Sequence, residues 1–370
     1  MKFRLPRLIV VVVALAVPAF AEPLELPVEG LQNRVEFWKK IFTQYGKDDI
    51  VIHDRIRVNL IYDIAEDSNV DSKMLAIDHA LKQIQVNLDS PDNLTVTAKQ
   101  LRDAIVADGV PLTKSALDDL IENVHTQRGI KERFRDGVVR SGRYVDSFRE
   151  VMQNEGVLPE LALLPLVESS FQNAKSKAAA LGVWQFTRST GKLYMNVNKK
   201  ADDRLDPNKS TRAAARLLHD NYRALGSWPL AITAYNHGRA GMMRAKSEVG
   251  PDITKIIKEY RGPVFGYASM NFYTEFLAAV EVYDNYEEYF GTLVLDQPSG
   301  HTPIRPKPTL VKASASLKSQ PAQVASKYKV RNGDTLYEIA QRFGTSIREL
   351  MAKNNLSRPH IYAGQILLIK

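Results

Sequence analysis

The chain has no cysteine among its 370 residues. Disulfides, thiolate nucleophiles and cysteine-held metals are therefore excluded, and so is a lipid carried on a cysteine of this chain. Its seven histidines, at 53, 79, 125, 219, 237, 301 and 360, show no HExxH or similar ligand spacing. No metal and no cofactor are expected. Long apolar runs are also missing, with one exception at the N-terminus. There Lys2, Arg4 and Arg7 surround the start of LIVVVVALAV (8–17), and AFA (19–21) has the small-x-small pattern of a signal-peptidase site. The run is shorter than the about 20 residues that span a bilayer. Residues 1–21 are thus expected to be a signal peptide, removed on export and leaving no stable membrane insertion.

What is present is unevenly charged. The net charge of +8 resolves into −3 over residues 22–290 and +8 over residues 291–370, with the remainder in the signal region. A basic tail on a mildly acidic body points to a polyanionic partner. For an exported chain that partner is expected to be cell-wall polymer, not nucleic acid. Residues 291–327 hold five prolines, five serines and no aromatic residue, a composition that reads as a linker of about 35 Å root-mean-square span. The body before it, 22–290, repeats apolar residues at three- and four-residue spacing over 69–87, 96–106, 114–125, 144–154, 211–224 and 272–290, which predicts helices. DIVIHDRIRV (49–58) alternates instead and predicts a strand or short hairpin. No chemical motif stands between 22 and 155, so that stretch is expected to be a helical N-terminal domain or a packing extension of the catalytic domain over 156–290.

The chemistry is concentrated in 156–290. In LLPLVESSFQ (163–172) an apolar run carries Glu168, and carboxylates are seldom buried unless paired or used. An apolar setting raises a carboxyl's pKa, which suits an acid that must hold its proton at neutral pH. Pro159 and Pro229 stand where helices should start, and Gly238 where the second should end, which puts Tyr235 and Asn236 on its last turn.

Three motifs follow in order: ESSF at 168–171, GVWQF at 182–186 and AYNHG at 234–238. RLDP and STRAAARLL lie between the second and third. The combination resembles the soluble lytic transglycosylase family, glycoside hydrolase family 23. The resemblance implies a mainly α, lysozyme-like fold that cleaves peptidoglycan glycan strands at the MurNAc-β-1,4-GlcNAc bond. It also implies one catalytic carboxylate, Glu168, acting first as acid and then as base, with a 1,6-anhydro sugar as product. Matched motif by motif, Ser176, Gln185, Tyr235 and Asn236 would line the substrate cleft. The family's last tyrosine falls on Phe272 or Tyr273 of ASMNFYTEFLAA (268–279); Tyr273 is preferred because only its hydroxyl could reach the acid or the sugar's N-acetyl group. Thr187 and Arg188 stand where relatives often have Met-Pro.

Residues 328–370 read as strand, two short helices and strand, with Asp334 or Thr335 capping the first helix. GDTL, N-x-L and I-x-x-GQ-x-L signatures make the segment resemble a LysM domain, a βααβ module that binds N-acetylglucosamine-containing glycans. The resemblance puts its groove at Gly333, Asp334, Thr335, Leu336, Pro359 and Ile361. The order of domains resembles the D type of lytic murein transglycosylase. Two alternatives remain open from sequence. A hydrolytic muramidase, like goose-type lysozymes, would want a second carboxylate; none is evidently placed, though Asp202, Asp203 and Asp206 could enter the cleft. A non-catalytic glycan-binding protein would be expected to lack Glu168 or Gln185, and both are present.

Overall fold

The structure is a computed structural model that describes residues 26–176, 179–298, 327–330, 339, 342–343, 345, 347–354, 356, 361 and 364–369. The expected signal peptide lies outside the described residues. By contacts the chain separates into Met1–Gly300 and His301–Lys370. The first unit is mainly α-helical. Its helices are α1 Gln32–Thr43, α2 Val70–Val86, α3 Val96–Ala107, α4 Lys114–Glu122, α5 Lys131–Ser141, α6 Val145–Asn154, α7 Leu164–Glu168, α8 Arg188–Tyr194, α9 Pro207–Leu225, α10 Trp228–His237, α11 Arg239–Val249, α12 Ile253–Glu259, α13 Tyr267–Asp284 and α14 Tyr286–Phe290. No helix among the described residues is long and apolar enough to cross a membrane.

Local chemistry explains where the main helices begin and end. Asp206 caps α9 by accepting from the Asn208 and Lys209 N–H groups, with Pro207 at the first position. Gly226 closes it at φ 69°, and its N–H donates to the Tyr222 carbonyl. One face of α9 buries Ala214, Leu218 and Leu225 against α6 and α10. At the centre, α13 is buried along most of its length and packs against α1, α7 and α10.

Three strands form one antiparallel sheet in the order β2-β1-β3, from β1 Ile50–Asp54, β2 Ile61–Ala65 and β3 Val124–Arg128. The 49–58 segment therefore does supply a hairpin strand. Every residue of β1 is buried, because the sheet lies between two cores. Val51 faces the main core, whereas Ile50 and Ile52 face a second cluster with Leu81, Ile84, Leu101, Ile105, Leu117 and Leu120 from α2, α3 and α4. The helical pattern expected over 114–125 stops at Glu122, since Val124 and His125 pair with Asp54 and His53.

The main core is not divided at residue 155. Leu31, Phe42, Phe134 and Phe148 belong to one cluster with Trp184, Leu230 and Phe276, because α1 lies along α13 and α5 and α6 flank the segment that carries Glu168. The part with its own core is the sheet's outer face and α2–α4. The start of the expected linker also differs. Asp296 donates its N–H to the Val139 carbonyl and pairs with Arg143 at 2.7 Å, and Leu293 and Leu295 pack on the main core. Residues 291–298 thus belong to the body; the rest of the linker, from 299 to 326, lies outside the described residues.

In the second unit, β4 Lys327–Lys329 pairs antiparallel with β5 Ile366–Leu368, and a helix spans Ile347–Lys353. Val330, Ile339, Leu350, Leu367 and Ile369 form its core. Asn354 ties helix to strand: its Nδ2 donates to the Leu350 and Leu368 carbonyls, and its Oδ1 accepts from Leu368 N–H at 2.7 Å. Ile361 packs half-buried against this core. Gly333, Asp334, Thr335, Leu336 and Pro359 lie outside the described residues.

Candidate active site

Glu168 is the last residue of α7, a single turn started by Pro165 and buried through Leu164 and Leu166. The chain then turns sharply. Ser170 and Phe171 hold φ of 51° and 57°, left-handed values that cost non-glycine residues of order 1–3 kcal/mol each and need surrounding structure to hold them. That support is visible. Ser169 and Phe171 N–H both donate to the Pro165 carbonyl, and Ser169 Oγ donates to the Val183 carbonyl at 2.7 Å. Arg140 Nε donates to the Ser170 carbonyl at 2.8 Å, and Arg133 Nε to Ser170 Oγ at 3.0 Å. Phe171 is buried, its ring parallel to Tyr144 at 5.9 Å. Both serine hydroxyls are thus committed to backbone and arginine, not to the neighbouring carboxylate.

Glu168 is half-buried, and burial alone raises its carboxyl from 4.5 to about 8. No cation offsets this among its causes. At neutral pH the group holds its proton, as an acid catalyst requires.

The GVWQF turn is fastened to the loop before it. Gln185 sits at φ 48°; its Nε2 donates to the carbonyls of Ala174 (3.0 Å) and Gly182 (2.7 Å), leaving Oε1 as an acceptor with no partner among the described residues. Gly182, at φ 84°, passes so near Arg204 that a Cβ would lie 1.9 Å from its carbonyl oxygen. Ser176 Oγ accepts from Ala180 N–H at 3.1 Å and braces the same loop. Trp184 is buried and donates Nε1 to Thr211 Oγ1.

Tyr235 holds this turn and feels the Glu168 charge. Its hydroxyl donates to the Trp184 carbonyl at 2.8 Å, and burial together with the Glu168 charge raises it well above the ordinary tyrosine value. Asn236, next to it at the end of α10, is exposed and accepts from Ser269 Oγ at 3.1 Å. Tyr273 is placed otherwise than expected. It is fully buried and donates its hydroxyl to the Pro27 carbonyl at 2.9 Å, while Phe272 stacks on Tyr235. One turn of helix is 3.6 residues, so neighbours such as 272 and 273 point about 100° apart, and only the first faces α10.

The three aspartates that could have entered the cleft have structural roles. Asp202 pairs with Arg204 at 2.7 Å, Asp203 with Lys209 at 2.9 Å, and Asp206 caps α9. The second carboxylate missing from the sequence reading is Glu275 on α13. It is half-buried, and its carboxyl is raised to about 8, by burial first and the Glu168 charge second, with Arg133 opposing. The available signal was a lone acid in the apolar NFYTEFLAA.

Comparison with known proteins agrees with the motifs. Residues 146–257 match the transglycosylase SLT domain, and residues 328–370 match the LysM domain. The chain carries an SLT domain and a LysM domain. It is 35% identical over 118 residues to membrane-bound lytic murein transglycosylase D of Escherichia coli strain K12, covering 31% of this chain and 26% of that protein. Cell wall-binding protein YocH of Bacillus subtilis is 42% identical over 55 residues (15% of this chain, 19% of that one). A probable N-acetylmuramidase of Lactococcus lactis is 48% identical over 42 residues (11% and 10%). The chain thus spans about a quarter of the murein transglycosylase and less of the others. The SLT match runs from α6 into α12 and contains Glu168, Ser176, Gln185, Tyr235 and Asn236, whereas α13, with Phe272 and Glu275, lies beyond it.

Proposed function

We propose that this protein is a lytic transglycosylase that cuts the MurNAc-β-1,4-GlcNAc bond of peptidoglycan after export, and that its LysM unit holds the glycan. The observation that carries this reading is Glu168: a desolvated carboxyl with no compensating cation, held on a strained and fully braced turn. Protonated at neutral pH, it gives its proton to the leaving glycosidic oxygen as the C1–O bond breaks. The carboxylate then takes the proton of the muramic C6 hydroxyl while that oxygen bonds to C1. The proton balance closes on one residue, no water is consumed, and a 1,6-anhydro sugar results.

The other residues have supporting roles in this reading. Tyr235 holds the Trp184 carbonyl and with it the GVWQF turn. Gln185 Oε1 and Asn236 offer polar groups to the sugar, and Ser176 fixes the loop beneath. On the LysM unit the expected groove residues, Gly333–Leu336, Pro359 and Ile361, would bind glycan and raise its local concentration at the cleft.

A hydrolytic muramidase would need a second, ionised carboxylate to activate water. Glu275 is near enough to feel the Glu168 charge, but its carboxyl is raised to about 8, so at pH 7 it is mostly neutral and a poor base. This favours the transglycosylase. The direct test is solubilisation of purified sacculi. The wild type should release muropeptides, and Glu168→Gln, which keeps shape but cannot transfer a proton, should release about 10²–10⁴-fold less. A fully active Glu168→Gln enzyme would move the catalytic carboxylate elsewhere.

A further inference from the structure

We propose that Glu275 is a second carboxyl of the catalytic cleft, a positioning residue that keeps its own proton while Glu168 gives up and recovers one. This rests on the transglycosylase reading above and adds a group outside the SLT match.

The helices α5 and α13 both pack against α7, so Arg133, Glu275 and Glu168 come from three elements that meet at the ESSF turn. Around Glu275 the α13 residues Asn271, Phe272, Thr274, Phe276, Leu277, Ala278 and Ala279 are buried. The other polar residues of this helix are accounted for. Asn271 accepts from Arg34 Nη1 at 2.8 Å, Thr274 Oγ1 donates to the Asn271 carbonyl, Ser269 bonds Asn236, and Glu281 pairs with Lys39. Glu275 makes no hydrogen bond or ion pair with any described residue. An acid that burial strips of water and that has no partner costs stability, and here it is carried on a helix packed against the one that ends at Glu168.

The charged and titratable groups on the elements packed against α13 are Arg34, Glu36, Lys39 and Lys40 on α1, Glu160 on the turn Pro159–Leu163, Glu168 on α7, Tyr235 and His237 on α10, and Tyr286, Glu287, Glu288 and Tyr289 on α14. On α5, which packs against α7 and α14, they are Lys131, Glu132, Arg133, Arg135, Asp136 and Arg140. Of these only Glu168 and Arg133 act on Glu275, and Arg133 spends its Nε on Ser170 Oγ. On its own helix, Tyr267 feels the Glu275 charge.

Two like charges in one desolvated site cannot both form easily. When Glu168 ionises, its charge holds the proton on Glu275 more firmly. At the moment the acid step leaves a carboxylate on Glu168, the pair therefore carries one charge and one proton. A neutral Glu275 carboxyl would add no second negative charge to the site and would have an O–H to donate towards the new carboxylate. Glutamine preserves neutrality and a donor; alanine preserves neither the donor nor the volume.

The test uses the full chain, with sacculi as substrate, comparing wild type, Glu275→Gln and Glu275→Ala. Removing a donor at a developing charge should lower kcat in Glu275→Ala about ten- to hundredfold with KM within about threefold, and Glu275→Gln should recover most of that loss. On the alkaline side, wild-type log(kcat/KM) should steepen from slope −1 towards −2 as the second proton leaves, whereas Glu275→Gln should stay at −1. A purely structural role would not change that slope. The slope comparison stands even if the alanine variant does not fold. An unchanged slope in Glu275→Gln, or a glutamine variant as inactive as Glu168→Gln while the wild type makes anhydro products, would overturn this proposal alone. Reducing-end products from the wild type that vanish in Glu275→Gln would overturn both this and the transglycosylase reading.

Discussion

Replacing Glu168 by glutamine should stabilise the folded protein, and increasingly so as pH rises. The carboxyl is raised from 4.5 to about 8 in the folded state by burial. Between those values the folded protein retains a proton that the unfolded chain releases, so wild-type stability falls with rising pH through that window. At about 1.36 kcal/mol per unit, a shift of this size has a ceiling of about 5 kcal/mol above pH 8 and about 3 kcal/mol at pH 7. Glu168 keeps part of its surface in solvent, and screening brings these to about 2–3 and 1–2 kcal/mol. Urea unfolding of wild type and Glu168→Gln at pH 5, 7 and 9 measures the difference. The gap should be small at pH 5 and widen to pH 9. A gap independent of pH would mean that the carboxyl is solvated, and the acid role argued from burial would have no basis.

Activity should show the same group from the other side: kcat/KM should fall as pH rises through about 8, because the acid step needs protonated Glu168, and a fall centred near pH 5 would contradict this. Gly182→Ala should destabilise by at least about 2–3 kcal/mol and abolish sacculus release, since the new Cβ would sit 1.9 Å from the Arg204 carbonyl at a left-handed φ; a soluble, fully active variant would refute that packing. A chain ending at Pro298, which keeps the Asp296 contacts with Val139 and Arg143, should cleave soluble glycan fragments as before but pellet less with sacculi; unchanged pelleting would remove the anchoring role proposed for the LysM unit.

How far the sequence could be read depended on how local each determinant was. Helices α2, α3, α6, α9 and α13 follow from apolar spacing, and the ends of α10 from Pro229 and Gly238, all signals within a few residues, whereas the caps of α9, Asp206 and Gly226, went unread. Strand β3 was hidden because Val124 and His125 continue a helical pattern, and only pairing with β1, some 70 residues away, makes them extended. Whether 22–155 forms its own domain or packs on the rest of the body was left open for the same reason: α1 is buried against α13, at the far end of the body. Within the site, Glu168, Gln185 and Tyr235 stand in short motifs and are legible one by one. Tyr273 was not, since its direction is set by the contact of Pro27 with α13. Glu275 was missed because its meaning lies in its proximity to Glu168, more than 100 positions earlier, which no local pattern records.

The central claim is that Glu168 alone moves the proton in both halves of glycan cleavage, with the sugar's own C6 hydroxyl as nucleophile. Mass spectrometry of the muropeptides that the wild-type protein releases from purified sacculi tests it most directly. The account predicts products ending in 1,6-anhydro-N-acetylmuramic acid, one water lighter than lysozyme products and absent from the Glu168→Gln digest. Reducing-end N-acetylmuramic acid in their place would contradict it.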